Sequence, residues 1–420
     1  MASRVSAKQR RRLKIVDVAT ELLDERGYGR TTMDDIAAAA GITKRTLYRY
    51  VPSKPVILPM IHERFVEAAD ELIPPDAQHD DPAEHMAAFI ESYVTVVVRH
   101  QGAIRVFFEE EYNLTAEARE QIVGRRDTFE ARFRKLVRKG QESGQFRGCD
   151  VEVVSAGVFG ALASIYRWYS PSGRFGIGDL ASLMSRLLLV GLTETDDTSP
   201  RADDVMPPRT ATGSDAEQEP PTAVPAAVLS AATRLFATQG YLETNTREIA
   251  EAAGVTKSGL FYHIGSKEEL LYAIHHRFGM ENLENLARWT AEAGPAADAA
   301  ARLRKLVVEH SRVMGDRPYH VRVFTDQARY LSAAKRPHIE ALRARYVDGF
   351  EDVVRAGIAD GVFKNLHPRI TTLAVLGMLN SMSRWFRQDG RLSADRIGAV
   401  FADLVLTGLA ARDGRGQTTS

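Results

Sequence analysis

The chain has 420 residues, 44% hydrophobic and 26% charged, with 55 Lys and Arg against 55 Asp and Glu. That length exceeds one ordinary core and calls for two or more domains. The balanced charge excludes a whole-molecule field for nucleic acid or membrane, so any polyanion binding has to come from local patches. One cysteine, Cys149, excludes an internal disulfide, and no run of about 20 apolar residues is available to cross a bilayer. With a basic, then amphipathic beginning rather than a signal peptide, the expectation is a soluble cytoplasmic protein with no membrane partner.

In chain order, the basic stretch "RVSAKQRRR" leads into a helical stripe, Ile15, Ala19 and Leu22 at i, i+4 and i+7, ending at Gly27-Tyr28. Thr32 and Asp35 then have the spacing of a capping box, which starts a short helix carrying Ile36-Ala37 inward. Ala40-Gly41 ends it with a left-handed turn, and Thr43 caps a second short helix in which Leu47 faces the core. Helix, tight turn, helix is the arrangement that lays a recognition helix in the DNA major groove. The remaining residues, Lys44, Arg45, Thr46, Tyr48, Arg49 and Tyr50, offer cations and hydroxyls for phosphates and base edges. Lys54, opening the next helix, is placed to hold one more phosphate. The competing reading is a solvated basic helix on an ordinary bundle.

Amphipathic stretches at 85–101, 117–140 and 150–169 follow, and strand signals are nearly absent. Residues 193–225 hold six of the 17 prolines and almost no large apolar side chain, the composition of a disordered tether. Beyond it the first pattern returns. "GITKRTLYRYVPSK" at 41–54 is echoed by "GVTKSGLFYHIGSK" at 254–267, and an offset of 213 matches 17 of the 45 positions from Lys14 to Leu58. Val228, Ala232 and Leu235 repeat the stripe, Gly240-Tyr241 the stop, Asn245 and Glu248 the capping box, and Thr256 the second cap. An offset of 217 then pairs Val106-Phe107 with Val323-Phe324, Arg167-Trp168 with Arg384-Trp385 and Gly191-Leu192 with Gly408-Leu409. One four-residue insertion explains both registers, so the chain is two copies of a unit of about 190 residues. Each copy is expected to be all-helical, with about nine helices. The boundaries read 1–54, 55–192, 193–225, 226–267 and 268–411: head, body, linker, head, body.

In copy two the candidate DNA-facing residues are Arg247, Thr256, Lys257, Ser258, Tyr262, His263 and Lys267, with Thr32 joining the first set. The heads are unequal: residues 1–54 carry 12 Lys and Arg against six acids, residues 222–267 four against three. Head two is the weaker electrostatic binder, and a one-headed protein with a purely structural second copy stays open. So does a partner-binding protein that has lost DNA binding altogether.

Enzyme chemistry finds little support. Glu109-Glu110-Glu111 meets Asp326-Gln327-Ala328 in copy two and reads as a solvated or cavity-rim charge run. His275-His276 are adjacent, a poor metal pair, and no Ser-His-Asp set, glycine-rich phosphate loop or Cys-x-x-Cys is present. Neither catalytic residues nor a metal or cofactor is expected.

At the second short helix the sequence resembles the TetR family of transcriptional regulators, whose recognition helix reads close to "T-x-x-x-L-Y-Y-H-F-x-x-K". Here it stands as Thr43…Leu47-Tyr48-Arg49-Tyr50-Val51…Lys54 and as Thr256…Leu260-Phe261-Tyr262-His263-Ile264…Lys267. Copy two departs at Phe261, without a hydroxyl, and at Gly259, which weakens a helix; copy one departs at Arg49 and Tyr50. The double unit resembles the rarer tandem TetR regulators of actinobacteria, some linked to sterol and lipid uptake, which adds a lipid- or sterol-derived effector to the candidates. The resemblance implies an all-α single-chain pseudo-dimer that binds double-stranded DNA through helix-turn-helix heads, acts as a repressor and is released by a small-molecule effector. It further implies effector-binding and pairing roles for the bodies, which look like a subgroup answering to acyl-CoA thioesters. Arg167, Trp168, Arg384 and Trp385 are then candidate ligand residues, with the alternative that they only sit at the interface between copies. Further self-association of whole chains stays open.

Overall fold

The computed structural model describes residues 7–73, 80–110, 113–193, 224–294 and 298–411, apart from the side chain of His263. Nearly all of the Pro-rich stretch, Arg4 of the basic arm, and Glu111 lie outside the described residues.

The first copy runs α1 (Ala7–Arg26), α2 (Met33–Ala39), α3 (Lys44–Tyr48), α4 (Ile57–Leu72), α5 (Pro82–Arg99), α6 (Gln101–Glu109), α7 (Ala116–Glu142), α8 (Val151–Ala163), α9 (Ile165–Trp168) and α10 (Ile177–Leu192). The second runs α11 (Ala226–Gln239), α12 (Thr246–Ala252), α13 (Lys257–Ile264), α14 (Lys267–Glu292), α15 (Ala299–Asp316), α16 (Pro318–Asp326), α17 (Arg336–Ala359), α18 (Pro368–Trp385) and α19 (Ala394–Leu409). The fold is all-helical. Among the described residues the copies show ten and nine α-helices because copy one breaks at Ser164, while α18 passes the equivalent Ser381 unbroken. Among the described residues extended pairing is confined to two isolated bridges at equivalent positions, Phe146 with Thr193 and Phe363 with Ala410. No described helix is long and apolar enough to cross a membrane.

Three apolar cores result. Ile15, Ile36, Leu47 and Ile61 centre the first head, and Val228, Ile249, Leu260 and Ile274 the second. The third core is shared: Met86, Phe133, Val158 and Leu188 of copy one are continuous with Met378, Phe401 and Leu404 of copy two. Small residues make that continuity, since a Cβ added at Gly157 would press on Phe401 and Met378, and one at Gly191 on the Leu404 backbone. Helices α8 and α10 thus lie against α18 and α19 at backbone contact.

Candidate nucleic-acid interface and internal cavities

Each head is fixed by its caps. Thr32 Oγ1 accepts the Asp35 backbone N–H at 3.1 Å while the Asp35 carboxylate accepts that of Thr32 at 2.8 Å. Asn245 and Glu248 repeat the exchange at 3.0 and 3.1 Å. Gly41 and Gly254 take φ of 67° and 68°, the left-handed turn that lets the next helix leave at a steep angle. Thr43 then caps α3 through the Thr46 N–H at 3.2 Å, and Thr256 caps α13 through the Gly259 N–H at 3.0 Å.

The two recognition helices differ in length and face. Helix α3 stops at Tyr48 because Val51 precedes Pro52, whose ring disfavours helical geometry before it. Copy two has Gly265 there and α13 continues to Ile264, so Gly259, read from the sequence as a weakness, sits in the longer helix. Leu47 is fully buried, as are Leu260 and Ile264 in copy two. Lys44, Arg45, Tyr48 and Arg49 are exposed, as are Lys257, Ser258 and Tyr262, with Thr32 and Thr256 at the exposed helix starts. Tyr262 is 86% exposed, far beyond what a large aromatic needs in a solvent-facing helix. Thr46 and Tyr50 are half-buried, Thr46 sharing a hydroxyl contact with Thr43 at 2.9 Å and Tyr50 packing on the head core.

Charge differs too. Lys44 donates to Asp34 at 2.9 Å, which raises its pKa. Copy two replaces that carboxylate by Arg247, exposed in the first turn of α12, and Lys257 lies instead over the Phe261 ring at 5.9 Å. Lys54 opens a 3₁₀ turn and donates to the Tyr28 carbonyl, its ammonium 4.0 Å from the Tyr28 ring centre. Lys267 donates to the Leu242 and Thr244 carbonyls at 3.2 and 2.7 Å and lies 4.5 Å from the Tyr241 ring centre. Burial pulls both ammonium pKa values down. These lysines, expected to reach phosphate, lock the turn after the first helix by a cation–π contact and carbonyl bonds. From the basic arm, Ala7 to Arg12 form the first turns of α1 rather than a loose segment.

In the bodies, Arg167 and Arg384 converge on one carboxylate. Asp326, 4% exposed, accepts Arg167 Nη2 at 2.8 Å and Arg384 Nη2 at 3.1 Å; burial works against its charge, but the two guanidiniums hold its pKa low. Trp168 Nε1 donates to Ser164 Oγ and Trp385 Nε1 to Ser381 Oγ, both at 3.2 Å. Sequence reading placed these four residues together and missed their shared acid. The signal was available, because Asp326 stands at the register of Glu109.

Glu109 and Glu110, the described part of the acidic run, are not a solvated or rim surface. Glu110 is 1% exposed and accepts the Tyr28 N–H at 2.7 Å, Asn113 Nδ2 at 2.9 Å and Arg329 Nη2 at 2.5 Å. Glu109 meets Arg329 Nη1 at 2.7 Å, with burial pushing its carboxyl pKa up. These two turn inward because Arg329, from the other copy, supplies the countercharge.

Two cavities flank this network. One, of about 210 Å³, lies in copy one among Tyr93, Phe129 and Phe159 and is closed by Arg384 and Trp385 of copy two. The other, of about 220 Å³, lies in copy two among Phe324, Leu342 and Leu376 and is closed by Arg167 and Trp168 of copy one. The Arg-Trp pairs therefore belong both to the interface and to the cavity mouths. Helices α6 and α16 link cavity to head. Phe108 lines the first cavity while Glu110, just past α6, holds Tyr28. Phe324 and Thr325 line the second while Gln327 Nε2 donates to the Phe236 carbonyl at 2.6 Å. Among the described residues no cluster of His, Cys, Asp and Glu could hold a metal ion.

Comparison with known proteins agrees with the duplicated plan. The family described as bacterial regulatory proteins, tetR family, matches residues 15–58 and 228–274. The tetracyclin repressor-like C-terminal domain matches 79–192 and 296–409. The HTH-type transcriptional repressor KstR2 of Rhodococcus jostii (strain RHA1) is 28% identical over 188 residues, covering 44% of this chain and 89% of that protein. The fatty acid metabolism regulator protein of Bacillus subtilis (strain 168) is 23% identical over 186 residues, covering 43% of this chain and 94% of that one. Among solved structures, AibR in complex with isovaleryl coenzyme A and operator DNA is similar at 26% identity and a TM-score of 0.40, covering 43% of this chain and 98% of that chain. Nearly a whole relative is thus spanned by less than half of this chain, the length of one copy. With both domains matched twice, in order and over most of its length, the chain belongs to the TetR family of bacterial transcriptional regulators, as a tandem member with two complete units.

Proposed function

We propose that the chain is a single-chain pseudo-dimeric repressor that reads a non-palindromic operator with two different heads and is released by a small-molecule effector. The observation that carries this reading is the pair of equally capped frames bearing unlike faces, Lys44, Arg45, Tyr48 and Arg49 on α3 against Lys257, Ser258 and Tyr262 on α13. Two copies of one face would read a palindrome; two unlike faces on one shared core read unlike half-sites. Thr32, Thr46, Thr256 and Arg247 take supporting backbone roles at the helix starts, as does Tyr50 just past the end of α3, and Lys54 and Lys267 hold the frames. The resemblance to KstR2 supports the repressor sign.

The effector enters the cavities behind α6 and α16. Because each of these helices touches both a cavity and a head, a ligand that favours one position of the helix favours one head spacing. Arg329 to Glu109 and Glu110, with Arg167 and Arg384 on Asp326, join the two helices, so both heads respond together. The resemblance to a fatty acid metabolism regulator supports an acyl ligand, with an acyl-CoA thioester the first to try. The five segments divide as head, body, linker, head and body at 1–54, 55–192, 193–225, 226–267 and 268–411, and the working site is the cytoplasm, on the nucleoid.

Footprinting on DNA flanking the gene tests the reading. Two protected half-sites of different sequence, lost on adding an acyl-CoA, are expected. Protection of one half-site only would favour the one-headed alternative, which the weaker charge of head two supports.

A further inference from the structure

The two cavities occupy equivalent places, yet their charges differ. In copy one Arg126 has acids beside it, Glu130 at 3.6 Å and Asp127 at 3.7 Å, and Glu130 is shared with Arg134 at 3.4 Å. In copy two the equivalent arginine is Arg343 and the equivalent of Glu130 is Val347. The Arg343 guanidinium lies over the Phe324 ring at 4.4 Å, and its Nε and Nη2 are shielded from solvent with no hydrogen-bond partner among the described residues. A buried guanidinium with unmet donors is costly, and an anion within hydrogen-bond distance removes that cost. Burial together with repulsion from Arg167 pulls its pKa down to about 10, against the attraction of Glu340, Asp326 and Glu109, none of which bonds the guanidinium.

The polar lining differs in the same direction. Copy two places His310 where copy one has Tyr93, Tyr346 where it has Phe129, and Asn380 where it has Ala163. His310 Nδ1 and the Tyr346 hydroxyl are 2.7 Å apart, and His310 Nε2 lies 3.3 Å from Asn380 Oδ1. Copy one instead packs Phe89, Tyr93, Phe129 and Phe159 ring to ring, with centroids 5.4–6.3 Å apart. Much of the remaining wall in copy two is apolar, with Met314, Leu342, Leu373 and Leu376, beside Asn282, Thr325 and the Asp326-paired Arg167. Its volume of about 220 Å³ is below the roughly 300–1,000 Å³ of drug-sized ligand pockets, so the occupant is small.

We infer that the copy-two cavity alone is an anion site, taking one small apolar monocarboxylate per chain with its carboxylate on Arg343 and its hydrocarbon body against the leucines. Copy one meets its own arginine with Glu130 and holds no such ligand. This rests on the reading of the cavities as effector sites and narrows it to one cavity, with a free carboxylate in place of the CoA thioester.

Isothermal titration calorimetry of the full chain without DNA tests the site independently of any operator, so its outcome stands apart from that of footprinting. The probes are octanoate, uncharged octanol and octanoyl-CoA. Octanoate is expected to bind at one site per chain, at least tenfold more tightly than octanol. Arg343→Gln should lose at least tenfold in octanoate affinity. Val347→Glu, which builds the copy-one ion pair inside copy two, should do the same. Two octanoate sites per chain, equal affinity for octanol, binding of octanoyl-CoA without octanoate, or an unchanged affinity in Val347→Glu would each overturn the assignment.

Discussion

Gly160 of the first copy and Gly377 of the second face each other so closely that a Cβ on either would stand 3.1 Å from the other's carbonyl oxygen and press into Ser381 or Ser164. The same serines accept the Trp385 and Trp168 indole N–H groups, so the contact and the cavity mouths share atoms. Replacing Gly160 or Gly377 by Val should therefore force α8 and α18 apart. A loss of about 1–3 kcal/mol is expected for each in urea unfolding. An unchanged midpoint would mean that the two copies do not meet through this face.

Removing the Glu110 carboxylate leaves Arg329 half-paired and the Tyr28 N–H without its acceptor. Glu110→Ala should destabilise the chain by about 3 kcal/mol, the scale for breaking one side of a buried pair. Hydrogen exchange should quicken at Tyr28 before it does elsewhere in head one. Equal protection of that turn in variant and parent would disconnect the head from the network.

Salt dependence separates a two-headed from a one-headed regulator. With three or four phosphates per head, the log–log slope of affinity against salt should be roughly −5 to −7. Tyr262→Ala should weaken operator binding about tenfold if head two stacks or bonds through this exposed ring, a change of about 1.4 kcal/mol. Affinity and slope that ignore Tyr262→Ala but collapse in Arg49→Ala would assign all binding to head one.

Acid should unfold the protein through its buried histidines. Burial lowers the pKa of His62 and of His310 to about 4, and that of His275 well below the usual value. An unfolded histidine takes its proton near 6.5, so between about pH 6.5 and 4 the unfolded chain binds more protons and stability falls as pH falls. His62 and His310 should each remove about 3 kcal/mol across that window, with full stability above it. His310→Gln, which keeps a partner for Tyr346, should flatten the profile measured by urea unfolding at pH 7 and pH 5. An equally steep profile in the variant would show that His310 takes up its proton when folded.

The heads were largely legible in the sequence because their geometry is local. Caps, left-handed glycines and the buried Leu47 and Leu260 all fall within a few residues of each other, and the repeat states them twice. What stayed hidden depends on the other copy. Glu109 and Glu110 read as solvated because Arg329 lies some 220 positions away and has no matching arginine at its register in copy one. The carbonyls and tyrosine rings that hold Lys54 and Lys267 were also unread, because they belong to the preceding turn and not to the recognition-helix pattern. The short α3 could have been read from Val51-Pro52, where the rule about residues before proline applies directly.

A shared core between two halves of one polypeptide also changes how the regulator responds to its own abundance. A protein that assembles from separate subunits occupies its site in proportion to the square of monomer concentration when it is dilute. Here the partner of α8 and α10 arrives on the same chain, so occupancy should scale with the first power of concentration. Under the two-headed reading proposed above, the order of the two heads along DNA becomes a property of the gene.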